Sequence, residues 1–199
     1  MSYLNKIKRL FSPTVETTPI PSYEEKRSII EECRKKFDIK IFVETGTFLG
    51  DTTDFFKEKF DSLYSIELSE ELALRATKRF EENKNIQIIQ GDSGIILSSL
   101  VPTLDKPALF WLDGHYSSEF FHEGEYFVTA KAEINTPVEK ELDTILKSGF
   151  MHVILIDDAR LFVGEHDYPA LKTITEKVRA SKKNYKVYVE KDIIYVIPF

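Results

Sequence analysis

The segment YKVYVEKDIIYVI, residues 185–197, decides the fold. Its two apolar runs, YKVYV at 185–189 and IIYVI at 193–197, are separated only by Glu190, Lys191 and Asp192. A parallel crossover needs a dozen or more residues, so these runs predict an antiparallel hairpin. Upstream, β-branched and aromatic runs alternate with helical patterns, which predicts right-handed crossovers and a mostly parallel sheet. Strands are expected at 39–43, 63–66, 86–89, 108–112 and 153–156, and helices at 23–37, 52–60, 70–82, 94–100, 138–147 and 168–180. Ser22 with Glu25 forms a capping box for the first helix, and Ser69 is the expected N-cap of the third. The chain is thus read as an α/β protein with a doubly wound, mostly parallel seven-stranded sheet ending in an antiparallel β-hairpin.

The strand ends share a chemistry. ETGTFLG at 44–50, SIEL around Glu67, GDS at 91–93, WLDGHY around Asp113 and LIDD at Asp157 and Asp158 each close a short apolar run. In an open α/β sheet the ligand crevice lies outside the carboxyl ends of the strands. Acids and glycines delivered to that one edge describe a binding site.

Composition narrows the partners. The formal net charge of -6 argues against a general nucleic-acid binder, which needs a basic face to displace phosphate counterions. The single cysteine, Cys33, cannot form an internal disulfide and reads as a structural helix position. No apolar run approaches the roughly 20 residues that span a bilayer. The start MSYLNKIKRLF has no long apolar stretch of the secretory kind, so a cytoplasmic protein is the simplest expectation.

Two segments depart from the regular alternation. Residues 1–21 pair a short helical pattern (Leu4, Ile7, Leu10 and Phe11, with Lys6, Lys8 and Arg9 between) with the proline-rich PTVETTPIPS. They read as an N-terminal helix and arm outside a domain spanning 22–199, docking on a membrane surface or partner, on their own domain, or on a second subunit of a homodimer. Residues 114–136 are too long for a simple connection and carry Phe120, Phe121, Tyr126 and Phe127, which suits a lid or acceptor-binding insertion whose aromatic residues stack on a sugar or aryl ring of a small-molecule acceptor, or else pack against the domain or a second subunit.

A doubly wound parallel sheet ending in an antiparallel hairpin resembles the Rossmann-like class I S-adenosylmethionine-dependent methyltransferases. The resemblance covers about 22–199, and its motif pattern is closest to the macrocin and catechol types of metal-dependent O-methyltransferase. It implies that the ETGTFLG loop cradles the methionine part of the cofactor, with Glu44 binding its amino group. Gly46 and Gly50 allow the tight turn, and Phe48 stands where the commonest pattern has a middle glycine. Glu67, about 20 residues on, is placed to accept from ribose hydroxyls; by itself this suits an adenosyl cofactor, NAD, or merely the start of the next helix. Asp92 and Ser93 would meet the adenine edge, with Ser93 equally readable as an N-cap. The implied cofactor-binding positions are Glu44, Thr45, Gly46, Thr47, Gly50, Glu67, Leu68, Asp92, Ser93 and Asp113.

Three carboxylates, Asp113, Asp157 and Asp158, end neighbouring strands in this reading, and converging acids need a shared cation. The resemblance assigns them to a divalent metal, with Mg2+ the first choice. His115, two residues past Asp113, is the candidate general base, with Asp113 beside it in the catalytic group. Arg160 could recognise an anionic substrate group or pair with Asp157 or Asp158. The implied reaction is methyl transfer from S-adenosylmethionine to an oxygen of a small molecule such as a sugar or sugar-containing metabolite. Alternatives are an adenosyl-cofactor-binding protein without turnover and an NAD-linked oxidoreductase, against which the terminal hairpin speaks.

Overall fold

The computed structural model describes residues 20–114, 119–122, 125–128 and 136–199. Its first helix, α1 (Tyr23–Lys36), starts at the expected capping box: Ser22 Oγ accepts from the Glu25 amide at 3.2 Å and Glu25 accepts from the Ser22 amide at 2.8 Å. Next come β1 (Ile41–Thr45), α2 (Asp51–Phe56), β2 (Ser62–Glu67), α3 (Glu70–Arg79), β3 (Ile86–Gln90), α4 (Ser93–Leu100) and β4 (Ala108–Leu112). After β5 (Glu119–His122) and β6 (Glu125–Val128), the chain continues through α5 (Val138–Lys147), β7 (Val153–Ile156), α6 (Leu171–Ala180), β8 (Tyr185–Glu190) and β9 (Ile193–Pro198).

The main sheet has seven strands in the order β3-β2-β1-β4-β7-β9-β8. β9 runs antiparallel between β7 and β8, and the other strands are parallel. This is the Rossmann-like sheet with an antiparallel terminal hairpin read from 185–197. Within the 114–136 segment, β5 and β6 form a separate antiparallel pair. The runs EFFH and EYFV, rich in the aromatic residue types that favour strands, form this pair. Of the N-terminal arm, residues 1–19 lie outside the described residues. Among the described residues, no helix is long and apolar enough to cross a membrane.

Each sheet face has its own core. Ile29, Ile30 and Cys33 of α1 and Phe56 of α2 pack with Phe42, Trp111 and Leu155 on one face. Leu97 of α4, Leu142 and Ile145 of α5, and Ile174 and Val178 of α6 pack with Val43, Phe110 and Ile154 on the other. α2 has only six residues, too few to be stable alone. Phe56 anchors it by packing on Phe42 and Phe60, with ring centroids 5.3 and 5.5 Å away. Burial raises the Cys33 thiol pKa to about 11, so this thiol is an inert core group, as expected.

Candidate active site

The strand order reverses between β1 and β4, which flank one another in the sheet while β2 lies on the far side of β1. The crevice of an open α/β sheet forms at such a switch point. β1 extends two residues beyond the 39–43 window of the sequence reading, because its parallel ladder continues to Thr45, paired with Ile66 on one side and Leu112 on the other. That extension places Glu44 inside the sheet rather than beyond its edge.

Glu44 lies on the Phe42 face and is 2% exposed. Its Oε2 accepts from Thr53 Oγ1 at 2.8 Å and from Ser65 Oγ at 2.7 Å. Burial drives its pKa up to about 7, against the Ser65 and Thr53 hydroxyls that favour the carboxylate. Thr47 joins the same group through Ser65, 2.7 Å between hydroxyl oxygens. Glu44 and Thr47 therefore tie the glycine loop to β2 and α2.

The loop itself is shaped for close approach. Gly46 has φ +87° and Gly50 φ +84°, both in the left-handed region that glycine tolerates. Phe48, at the place of the missing middle glycine, also adopts positive φ, +48°. Its amide donates to Glu67 Oε2 at 2.9 Å, while Glu67 Oε1 accepts from the Ser69 amide at 2.9 Å. Glu67 thus both holds the loop and starts α3, and each oxygen keeps acceptor capacity. Leu68, next in the chain, directs its carbonyl to Gln90 Nε2 at 3.0 Å, bridging the ends of β2 and β3.

Asp92, not Ser93, caps α4: its Oδ1 accepts from the Gly94 amide at 2.8 Å, and Ser93 is the first helical residue. Ser93 is buried beside Thr45, since a Cβ on Gly114 would meet Thr45 Oγ1 at 3.1 Å and Ser93 Oγ at 3.6 Å. Sequence reasoning missed the third member of this group. Glu141 of α5 is 1% exposed. Burial raises its pKa to about 7, opposed by the Ser93 and Thr45 hydroxyls and reinforced by the Asp92 charge. Glu141 Oε1 and Thr45 Oγ1 have no hydrogen-bond partner among the described residues. Its signal was its position: Val138, Glu141, Leu142 and Ile145 follow the spacing of one apolar helix face.

The acidic strand ends do come together, but with side-chain cations. Asp157 accepts from Lys26 of α1, and its Oδ1 also accepts from the Asp158 amide at 2.8 Å. Burial together with Asp113 pushes the Asp157 carboxyl upward, and Lys26 pulls it back. Desolvation works against the Lys26 charge, yet the attraction of Asp157, Asp113 and Asp158 leaves its pKa raised. Asp158 is held in the left-handed conformation at φ +56° and accepts from Arg160 Nη1 at 2.7 Å. Arg160 also donates to Asp192, with its backbone amide on Asp192 Oδ1 at 2.8 Å. Of its two sequence alternatives, the structure shows the ion pair.

Among the described residues, no group of three or more His, Cys, Asp and Glu side chains is arranged to hold a metal ion. Asp113, Asp157 and Asp158 as placed here do not fit the divalent site implied by the resemblance, because Lys26 and Arg160 take the positions of the balancing charge. His115 lies outside the described residues. His152 is a core group: its Nδ1 accepts from the Ala108 amide at 3.0 Å and its Nε2 faces Ser148 Oγ at 2.8 Å. Burial lowers its pKa to about 4.

The sequence matches no protein-family model and no curated protein. Solved structures share its fold. An O-methyltransferase from Bacillus cereus in complex with SAH has a TM-score of 0.60 at 14% identity, covering 98% of this chain and 87% of that one. The O-methyltransferase TomG from Streptomyces achromogenes, in complex with SAM, gives 0.57 at 14%, covering 90% and 82%. The N-methyltransferase NodS from Bradyrhizobium japonicum gives 0.57 at 13%, covering 88% and 96%. Oxygen and nitrogen methylation thus appear on one fold, so the acceptor atom is not written in the architecture.

Proposed function

We propose that this chain is an S-adenosylmethionine-dependent methyltransferase acting on an oxygen of a small molecule, with sugars or sugar-containing metabolites as the first acceptor class. The observation that carries the reading is the alignment of strand-end groups along the β3-β2-β1-β4 edge: Asp92, Glu67, the Gly46–Gly50 loop and Asp113, in that order. The antiparallel β9 favours it over an NAD-linked oxidoreductase.

The residues present fit an adenosyl cofactor. Glu67 can accept from ribose hydroxyls, and Asp92 Oδ2, which takes no hydrogen bond from the described residues, is available to the adenine edge. When bound, the cofactor supplies an electrophilic methyl group on sulfur. The protein's part is to hold the acceptor oxygen in line with that methyl and to take the proton the oxygen gives up. His115, two residues beyond Asp113, is the candidate base by sequence position. Lys26, held at the acidic edge, supplies positive charge near an acceptor oxygenate without a metal.

A transfer assay with methyl-labelled S-adenosylmethionine and a panel of hydroxyl acceptors tests the reading. Label appearing in an oxygen-linked product supports it. Nucleoside binding with no transfer to any acceptor points to the binding protein without turnover.

A further inference from the structure

The outer edge of the sheet is a strand that complements itself. β8 closes the sheet beyond β9, and no strand among the described residues pairs with its other side. The hairpin turn consists of Lys191 and Asp192, both at positive φ (+47° and +58°), the type I′ form. Such a turn makes Glu190 and Ile193 a hydrogen-bonded pair, and alternation gives the same bonding to Tyr188 with Tyr195 and to Lys186 with Ile197. The ladder runs on in this phase to Phe199, whose amide donates to the Asn184 carbonyl at 3.2 Å. The backbone N–H and C=O groups of Val187 and Val189 therefore face away from β9.

Sheets blunt an open edge with lysines, bulges, prolines or very short strands. β8 has six residues, and its exposed charges are of opposite sign: Lys186 and Glu190, placed symmetrically about Tyr188. Neither has an ion-pair partner among the described residues. Val189, beside Glu190, is 43% exposed. A second copy of β8, laid antiparallel across a two-fold axis at Tyr188, sets Lys186 opposite the partner's Glu190 and Val187 opposite the partner's Val189. The valines then exchange their outward hydrogen bonds, and the two Tyr188 side chains meet on the axis. An axis one residue away loses the charge pairing: at Val187 it sets Lys186 opposite the partner's Tyr188, and at Val189 it sets Val187 opposite the partner's Lys191.

We propose that the chain forms a two-fold homodimer in which β8 pairs antiparallel with β8 of a second copy, in the register fixed by Lys186 and Glu190, so that the two sheets become one. This edge is remote from the β3-β2-β1-β4 strand ends, so the assembly stands apart from the cofactor reading.

Sedimentation velocity of the full chain over the micromolar range tests the assembly, and the wild type is expected to be a dimer. Lys186→Glu and Glu190→Lys each set like charges opposite one another twice, and each is expected to weaken the dimer about tenfold or more. The double charge swap is expected to restore it. Val189→Pro removes only an outward N–H, so it is expected to abolish the dimer with the β8–β9 ladder intact. A monomeric wild type, or a dimer indifferent to both reversals and to the proline, overturns the proposal. A swap that does not restore the dimer overturns the register. Val187 and Val189 amides protected from hydrogen exchange in a monomer would assign the edge to another segment of the same chain, such as 1–19, and overturn the second copy as its occupant.

Discussion

Gly46 runs directly beneath the end of β4: a Cβ placed on it would lie 2.6 Å from the carbonyl oxygen of Asp113. Real side-chain atoms do not approach so closely, and the φ of +87° adds strain for any other residue. Gly46→Ala is expected to cost about 1–3 kcal/mol of stability and to displace the loop from β4. Denaturant unfolding measures the first effect. Unchanged stability would show that the loop is free to shift away.

Glu67 joins the Phe48 and Ser69 amides through its two oxygens. Glu67→Gln keeps the shape but turns one acceptor into a donor facing an amide. It should lose about 1–3 kcal/mol and weaken SAH by roughly tenfold or more. Thermal melts and titration separate the two losses, and a loss of stability with full affinity would confine Glu67 to a structural role.

Glu141 should leave a signature in the pH dependence of stability. Unfolded, it ionises around its ordinary value of 4.5; folded, burial holds its proton up to about 7. The folded state therefore binds more protons between those limits, so its stability falls as pH rises through the window. Glu141→Gln removes this dependence, and the variant should gain roughly 1–3 kcal/mol relative to wild type between about pH 4.5 and 7. His152, lowered to about 4, acts in the opposite sense over an overlapping range, so the difference between variant and wild type is the quantity to measure. A constant difference across the window would contradict the account.

The Lys26–Asp157 pair is tested by a double-mutant cycle. Lys26→Met leaves a nearly buried carboxylate without its cation and should cost about 3 kcal/mol. Adding Asp157→Asn should recover part of that loss, giving a clear coupling between the two sites. Mg2+ should leave the wild-type melting temperature unchanged, because Lys26 already balances the cluster. Stabilisation by Mg2+ in the wild type would restore the metal reading.

The parallel strands and the terminal hairpin were legible because run length and spacing constrain them strongly. The helix over 138–147 and the strands over 108–112 and 153–156 have the bounds expected from sequence. What the sequence concealed came from small shifts in register. Two extra residues of β1 turned Glu44 from an edge group into an enclosed one, and one residue moved the α4 cap from Ser93 to Asp92. Lys26 carried a signal that went unread: with Ile29, Ile30 and Cys33 it follows one helix stripe, so a charge at that place must face a buried partner. Pattern locates that need, while the partner, 131 residues away, emerges only on folding. Phe48 shows the converse, since its side chain breaks the glycine pattern while its backbone keeps the glycine conformation.

The most direct test of the central claim is isothermal titration of the full chain with SAM and SAH, with NAD as the competing nucleotide and Asp92→Ala as the site control. The account predicts that both sulfur nucleosides bind, that NAD does not compete, and that Asp92→Ala weakens them about tenfold while the protein stays folded. Preference for NAD, or no binding of either sulfur nucleoside, would contradict it.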